Sequence, residues 1–389
     1  MIEKVKELVK GQLAIWMTGP KTDKKIWIFS STDNKNFNYN SRYLFLYVLK
    51  HHPEIDARFV INDQKLREEL TKEYGDHFCE TKSMRGMRAV CRAGVWFTSA
   101  GLPVYGAGAG KRHIIINLWH GVPLKKIVLM EPSVSLGKRC YFKKIFSDNY
   151  RAILTTSRQL VPIMAESFGV EESRIKVWGQ PRNDELNRSR EQGTVRQGKA
   201  FSLRKQYGDG QKLVLYAPTY REYAKTRLFP FEDWDKDTFC EFLERQNIVF
   251  FLRTHIEESG SISPYLGKRI VRLGTDVVED ITEMLPAFDL LVTDYSSIFI
   301  DYLLLDRPMV FLPYDREEYL SRRGMNFDYD SITPGKKPSH MKEFMNDLQQ
   351  SLENDTEAQN RMQVNRMLNE ILEPCQEAIC AHVLQGELD

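Results

Sequence analysis

The sequence has almost no net charge: 55 basic and 53 acidic residues leave +2 over 389 positions. That balance argues against a strongly basic nucleic-acid binder and leaves room only for a local basic cleft. Cysteine is scarce and scattered, six residues at positions 79, 91, 140, 240, 375 and 380, none in a C-x-x-C pair. That spacing argues against a disulfide framework and a structural zinc site, and a reducing cytoplasm is expected. No apolar run is long enough to span a bilayer, and the N-terminus lacks a signal-peptide core. The small-residue loop Gly101–Gly110 has neither the G-x-G-x-x-G fingerprint nor a Walker lysine–serine pair, so it resembles a phosphate cradle only superficially. Internal repeats and low-complexity tracts are also missing.

What is present is a globular chain, 42% hydrophobic and 11% aromatic, long enough for two domains. Its organising stretch is Asp289–Tyr319. Leu290–Val292 reads as a buried strand, Asp294-Tyr295-Ser296-Ser297 as a polar turn, Ile298–Leu305 as a buried helix and Met309–Leu312 as a second strand. Strand, turn, helix and strand make a βαβ unit of a parallel sheet, and ligands sit outside the carboxyl ends of such strands. Ser296 and Ser297 fall at that end, where they read either as a phosphate contact or as a plain helix cap.

Similar short apolar runs recur on both sides of residues 185–210, a polar, charge-rich stretch with few large apolar residues. They predict an N-terminal Rossmann-like domain over 1–184, a linker over 185–210 and a C-terminal Rossmann-like domain over 211–389. The C-terminal helices are assigned to the second domain, although the last can pack back on the first half. Residues 1–17 have Ile2, Val5, Leu8, Val9 and Leu13 at helical spacing, with Lys4, Lys6 and Lys10 among them. This segment fits a membrane surface or a first helix packed on its own domain.

Five polar clusters follow predicted strands directly: His120, Arg182-Asn183-Asp184, Thr219 to Arg221, Arg253 to His255, and Asp294 to Ser297. Two parallel sheets would bring them to their carboxyl edges, a convergence that outweighs any single motif. His120 is a candidate general base, the alternative being a core histidine bonded to backbone. Arg253 and His255 alternate along a predicted strand and so point to one side, where they hold an anion or form a structural ion pair. Thr219 and Arg221 carry the same two readings. Arg182 either contacts a phosphate or pairs with Asp184. Asp294 caps its turn or serves as a carboxylate for acid–base or metal chemistry. No D-x-D motif is present, so a divalent cation is compatible with the sequence but not called for, and no cofactor is required.

Several of these stretches occur together in one family. Trp119-His120-Gly121-x-Pro123-Leu124-Lys125-Lys126, Tyr216-Ala217-Pro218-Thr219, Arg253-x-His255, Thr293 to Ser297 with Asp306-Arg307-Pro308, and Arg323-Gly324-x-x-Phe327-Asp328-Tyr329 resemble the CDP-glycerol glycerophosphotransferases, the teichoic-acid primases and polymerases. The resemblance runs in order from Trp119 to Tyr329. It implies a GT-B-like α/β fold, two Rossmann-like domains whose parallel sheets face a central cleft. It implies transfer of glycerol phosphate from CDP-glycerol to a hydroxyl of a lipid-linked glycan, with release of CMP, at the inner face of the cell membrane. On that match His120 is the base, and His255, Ser296 and Ser297 contact the pyrophosphate. Val122 stands where the family often has threonine, and the long N-terminal extension of the polymerases is absent, which favours a primase or short-product enzyme. The rival readings are a GT-B glycosyltransferase using a nucleotide sugar, a CDP-ribitol enzyme and a non-catalytic binding protein. Oligomeric state is left open.

Overall fold

The computed structural model describes residues 2–191, 198–208, 210–221, 223–254, 262–274 and 276–388. Its architecture is α/β, with two parallel sheets in two compact units. The first unit comprises Met1–Val122, Lys126–Asp184 and Glu370–Asp389, and the second Pro123–Lys125 and Glu185–Asn369.

The first sheet contains β1 (Asp23–Ser30), β2 (Asp56–Val60), β3 (Phe78–Cys79), β4 (Ala93–Thr98), β5 (Ile114–Asn117), β6 (Ala152–Thr155) and β7 (Ile175–Val177), in the order β3-β2-β1-β4-β5-β6-β7. Every pairing is parallel. Side chains alternate across the sheet. Trp27, Phe29, Val95, Phe97, Ile114 and Ile116 share one core with Leu44, Phe45 and Val48 of the Tyr39–His51 helix and Ile379 and Val383 of the Cys375–Leu384 helix. Ile28, Trp96, Ile115 and Ile153, on the opposite face, are buried too. Burial on both sides is why these strands read as continuous apolar runs.

The second sheet contains β8 (Lys212–Ala217), β9 (Ile248–Leu252), β10 (Ile270–Arg272), β11 (Leu290–Thr293) and β12 (Met309–Phe311), in the order β10-β9-β8-β11-β12, again all parallel. Its core joins Val214, Phe250, Val292 and Val310 to Phe239 and Phe242 of the Lys236–Arg245 helix and to Phe344 and Leu348 of the Met341–Glu353 helix. In each sheet the first strand lies between the second and the fourth, so the winding reverses there: at β1/β4 in one unit and β8/β11 in the other. Those reversal points are where open α/β sheets bind ligands.

Two sequence-based assignments differ from these bounds. Residues 185–210, expected as a linker, contribute helices Asn183–Glu191 and Gly198–Tyr207 and belong to the second unit. The second helix is held by polar contacts that apolar patterning cannot reveal: Arg204 to Asp289 at 2.6 Å and Lys199 to Glu283 at 3.0 Å. Residues 370–389 pack with the first unit instead of staying in a 211–389 domain. The Asp184 carboxylate accepts the N–H groups of Cys375 and Gln376 at 2.9 and 3.0 Å, at the N-terminus of that last helix, where negative charge is favoured. At Gly179 (φ +85) a Cβ would lie 3.0 Å from Cys375 Cβ, so only glycine allows this approach without strain.

The N-terminal helix Ile2–Thr18 has two faces. Ala14 and Ile15 are buried, and Gly11 lies so close to the Tyr105 carbonyl that an added Cβ would sit 2.1 Å from it. Gln12 bonds Ala107 in both directions, at 2.9 and 3.4 Å. Val5, Val9, Leu13, Trp16 and Met17 are exposed on the outer side. Among the described residues, no helix is long and apolar enough to cross a membrane.

Candidate functional site

Past β5 the chain turns at Trp119, whose φ of +53 is rare for an aromatic residue, and presents His120. Three neighbours fix the imidazole. The Ser99 carbonyl lies 2.8 Å from Nδ1. A carbonyl can only accept, so Nδ1 carries the proton and Nε2 is left as the basic atom of the neutral ring. Tyr39 stacks on the ring with centroids 5.1 Å apart, and Trp119 lies at 4.0 Å. Burial pushes the pKa down to about 4; the Ser99 bond opposes that shift and the nearby Arg182 charge adds to it. At neutral pH the ring is therefore uncharged.

The loop carrying His120 is bolted from below. Asn40, fully buried, donates to the carbonyls of Leu118 and Trp119 at 3.2 and 2.9 Å, and its Oδ1 accepts the N–H of Arg182 at 3.1 Å. Arg182 Nη1 donates to the His120 carbonyl at 2.8 Å, and Gln180 donates to the Gly121 carbonyl at 2.9 Å. Arg182, expected at a phosphate or on Asp184, thus grips the backbone of the candidate base. Asn40 and Tyr39 went unnoticed in the sequence because their role is made by long-range contacts, not by a motif.

At the β8/β11 reversal point a buried ionic network organises the second unit. Asp294, 1% exposed, accepts the N–H groups of Thr219 and Tyr295 on Oδ1 at 2.8 and 2.6 Å, and Arg221 Nη1 on Oδ2 at 2.6 Å. Arg221 forks onto Asp315 at 3.0 and 2.9 Å and also donates to the Thr219 carbonyl. Tyr295, Tyr314 and Tyr319 surround its guanidinium at 5.4, 4.9 and 5.5 Å, and the Tyr329 hydroxyl donates to the Asp294 carbonyl at 2.9 Å.

Among the readings left open, this geometry shows Arg221 in a structural ion pair and Asp294 holding its turn: they bond each other, Asp315 and backbone. Arg253 points its guanidinium at the carbonyls of Val278, Glu279 and Leu273 at 2.7, 3.1 and 3.4 Å, tying down that loop. β9 ends at Leu252, just before Arg253. His255 lies outside the described residues.

The hydroxyl groups remain. Ser296 and Ser297 are partly exposed at the start of Ile298–Leu303; Ser297 makes no side-chain cap, and Ser296 Oγ accepts only a long 3.4 Å bond from Ile298. Thr219 and Thr254, 8% and 3% exposed, have hydroxyls without a hydrogen-bond partner among the described residues. Buried hydroxyls without partners are costly, and a ligand oxygen would satisfy them. Thr254 was missed in the sequence, although its place just after β9 parallels that of Thr219 after β8. Among the described residues, no group of three or more His, Cys, Asp or Glu side chains is arranged to hold a metal ion.

Each unit thus has the strand order of a doubly wound α/β fold, with an uncharged histidine past the carboxyl end of β5 in the first and hydroxyls past the carboxyl ends of β8, β9 and β11 in the second. Residues 13–370 match the model of the CDP-glycerol:poly(glycerophosphate) glycerophosphotransferase family, and the chain belongs to that family. It is 29% identical over 326 residues to the teichoic acid poly(glycerol phosphate) polymerase of Bacillus subtilis (strain 168), spanning 80% of this chain but 42% of that protein. It is 28% identical over 323 residues to the teichoic acid glycerol-phosphate transferase of Staphylococcus aureus (strain NCTC 8325 / PS 47), spanning 80% of each. The solved structure of the wall teichoic acid polymerase TagF, as a histidine variant soaked with CDPG, superposes with a TM-score of 0.77 at 20% identity, covering 97% of this chain and 93% of that one.

Proposed function

We propose that this protein transfers glycerol phosphate from CDP-glycerol to a hydroxyl of a lipid-linked glycan and releases CMP, as in teichoic acid synthesis. His120 Nε2 takes the proton of the acceptor hydroxyl, and the oxygen attacks the β-phosphorus of the donor. The bond from that phosphorus to the CMP oxygen breaks, and CMP leaves. Ser296, Ser297 and Thr219 contact the diphosphate, joined on the sequence motif alone by His255. Arg182, Arg221, Arg253 and Asp294 hold these groups in place. Chemistry of this kind rests on positioning and electrostatics. In this reading the two units form a GT-B-like pair with the reaction in a cleft between them. The exposed apolar face of the N-terminal helix lies on the inner membrane surface.

The observation that carries the reading is the fixed tautomer of His120 in a chain of this family. The test is CMP release from CDP-glycerol with a lipid-linked glycan acceptor. His120→Ala should lose at least ~10²-fold in turnover, as for a removed general base, while CDP-glycerol binding by calorimetry persists. Near-normal turnover in that variant would sink the assignment. Release of UDP from a nucleotide sugar, of CMP from CDP-ribitol only, or of no nucleotide would favour the respective rivals.

A further inference from the structure

The first unit holds a cavity of 870 Å³ beside the N-terminal helix. Among the described residues its wall carries four lysines, Lys6, Lys10, Lys35 and Lys82, against two acids, Glu7 and Asp33. None of the four lysines has an ion-pair partner among the described residues. Those described residues leave an excess of two positive charges on the wall. Like charges facing one concavity repel, Lys6 and Lys10 already at i,i+4 on their helix, and an anion relieves that repulsion.

The floor is hydrogen-bonded and sits at the carboxyl edge of β1, β2 and β3. Asn62 and Thr81, from the ends of β2 and β3, are bonded to each other at 2.8 and 3.1 Å. Asn34 follows β1 and donates to the carbonyls of Leu102 and Pro103 at 3.3 and 3.1 Å. Asp33 and Asn34 have φ of +52 and +55, a left-handed pair that turns the loop just before Lys35. Tyr39, which stacks on His120, lies four residues after Lys35, at the start of the Tyr39–His51 helix, so at most about 14 Å of extended chain separates the Cα atoms of Lys35 and Tyr39.

We propose that this cavity binds the phosphate groups of the acceptor, a phosphodiester or diphosphate chain whose terminal hydroxyl reaches His120. The inference rests on the functional reading above and names the acceptor subsite for it. The volume lies in the range of whole ligand sites and exceeds what one inorganic phosphate needs, so the occupant is a chain bearing several charges. Lysines suit such an occupant because mobile point charges follow a flexible polyanion without fixed geometry.

The experiment compares wild type with the double variant Lys35→Gln/Lys82→Gln, both as full-length protein. The probe is a fluorescent tri(glycerol phosphate), read by polarisation. Its binding should weaken at least tenfold in the variant, and the Michaelis constant for acceptor should rise by a similar factor while that for CDP-glycerol does not move. A change under twofold in trimer binding overturns the proposal, as does a matching rise for CDP-glycerol. Phosphatidylglycerol and phosphatidylcholine vesicles separate a lipid headgroup from the acceptor: loss of phosphatidylglycerol binding with trimer binding intact also overturns it. Competition by inorganic phosphate at concentrations equal to the trimer reduces the cavity to a simple anion site and overturns the claim for a chain. If wild type releases no CMP under any acceptor but trimer binding and its loss in the variant persist, the functional reading falls and the subsite stands.

Discussion

Substituting Asp294 by asparagine tests the central brace of the second unit. The side chain keeps its shape, and its remaining oxygen still accepts the N–H groups of Thr219 and Tyr295. Its new NH₂ faces Arg221 Nη1, which now sits 2.6 Å from a carboxylate oxygen, so donor meets donor. Breaking one partner from a buried pair costs about 3–5 kcal/mol. Arg221 retains its fork onto Asp315, so the loss should fall nearer 2–4 kcal/mol. Asp315→Asn should cost less, about 1–2 kcal/mol, because that side chain is 14% exposed and water can replace the lost contact. The assay is urea unfolding combined with hydrogen exchange of the peptide spanning 290–296. Adding Arg221→Met to Asp294→Asn removes the uncompensated guanidinium but leaves Asp315, 14% exposed, without its partner, so the double variant should not regain wild-type stability. If Asp294→Asn shifts stability by less than about 0.5 kcal/mol, the range of ordinary surface changes, Asp294 is not a structural brace and its role must be sought at the ligand.

Three further outcomes follow from the geometry of the first unit. His113 and His120 both have a pKa lowered to about 4 by burial, below the unfolded value near 6.5. The unfolded chain therefore binds protons first: stability is complete above about pH 6.5 and is lost as pH falls toward 4, by up to about 3 kcal/mol for each ring. Denaturant midpoints between pH 7 and 4 measure this, and the acid limb of kcat/KM should lie near 4 instead of 6.5. Asn40→Ala removes the bonds beneath His120; kcat should fall roughly 10–100-fold through misplacement, with the acid limb moving up as the ring gains water. A stability loss without either change would mark Asn40 as a packing residue only. Asp184→Asn should loosen the Cys375–Leu384 helix by about 1–2 kcal/mol, read as faster exchange there and as weaker contact of Trp178 with His382, whose rings stack at 4.2 Å.

The sheets were legible in the sequence because parallel strands buried on both faces leave short, dense apolar runs. Strand β3 was not, since two residues carry no period. The helices Met84–Val90 and Leu136–Phe142 were not either; Leu136 and Tyr141 are exposed, so apolar spacing there does not mark a core. His120 stood out from its place after a strand and before a glycine. Its supports did not, because the positive φ of Trp119 and the reach of Asn40 depend on the rest of the fold.

The three arginines share one feature. Sequence reasoning ranks a strand-end arginine as an anion ligand from its charge, but at a reversal point the nearby loop carbonyls and carboxylates also need partners. In this protein those partners are satisfied first: Arg182 by the His120 carbonyl, Arg221 by two aspartates, Arg253 by three carbonyls. Among the described residues, the hydroxyls of Thr219 and Thr254 have no hydrogen-bond partner, and that of Ser297 makes no cap. Loss of activity on removing Arg221 would therefore report a collapsed brace. Thr219→Val is the sharper probe of contact: it deletes a hydroxyl that bonds nothing else among the described residues. Donor affinity should fall about 3–10-fold with unchanged or slightly higher stability, the signature of a hydrogen bond made only to the ligand. Unchanged affinity with intact stability would move the diphosphate away from the end of β8.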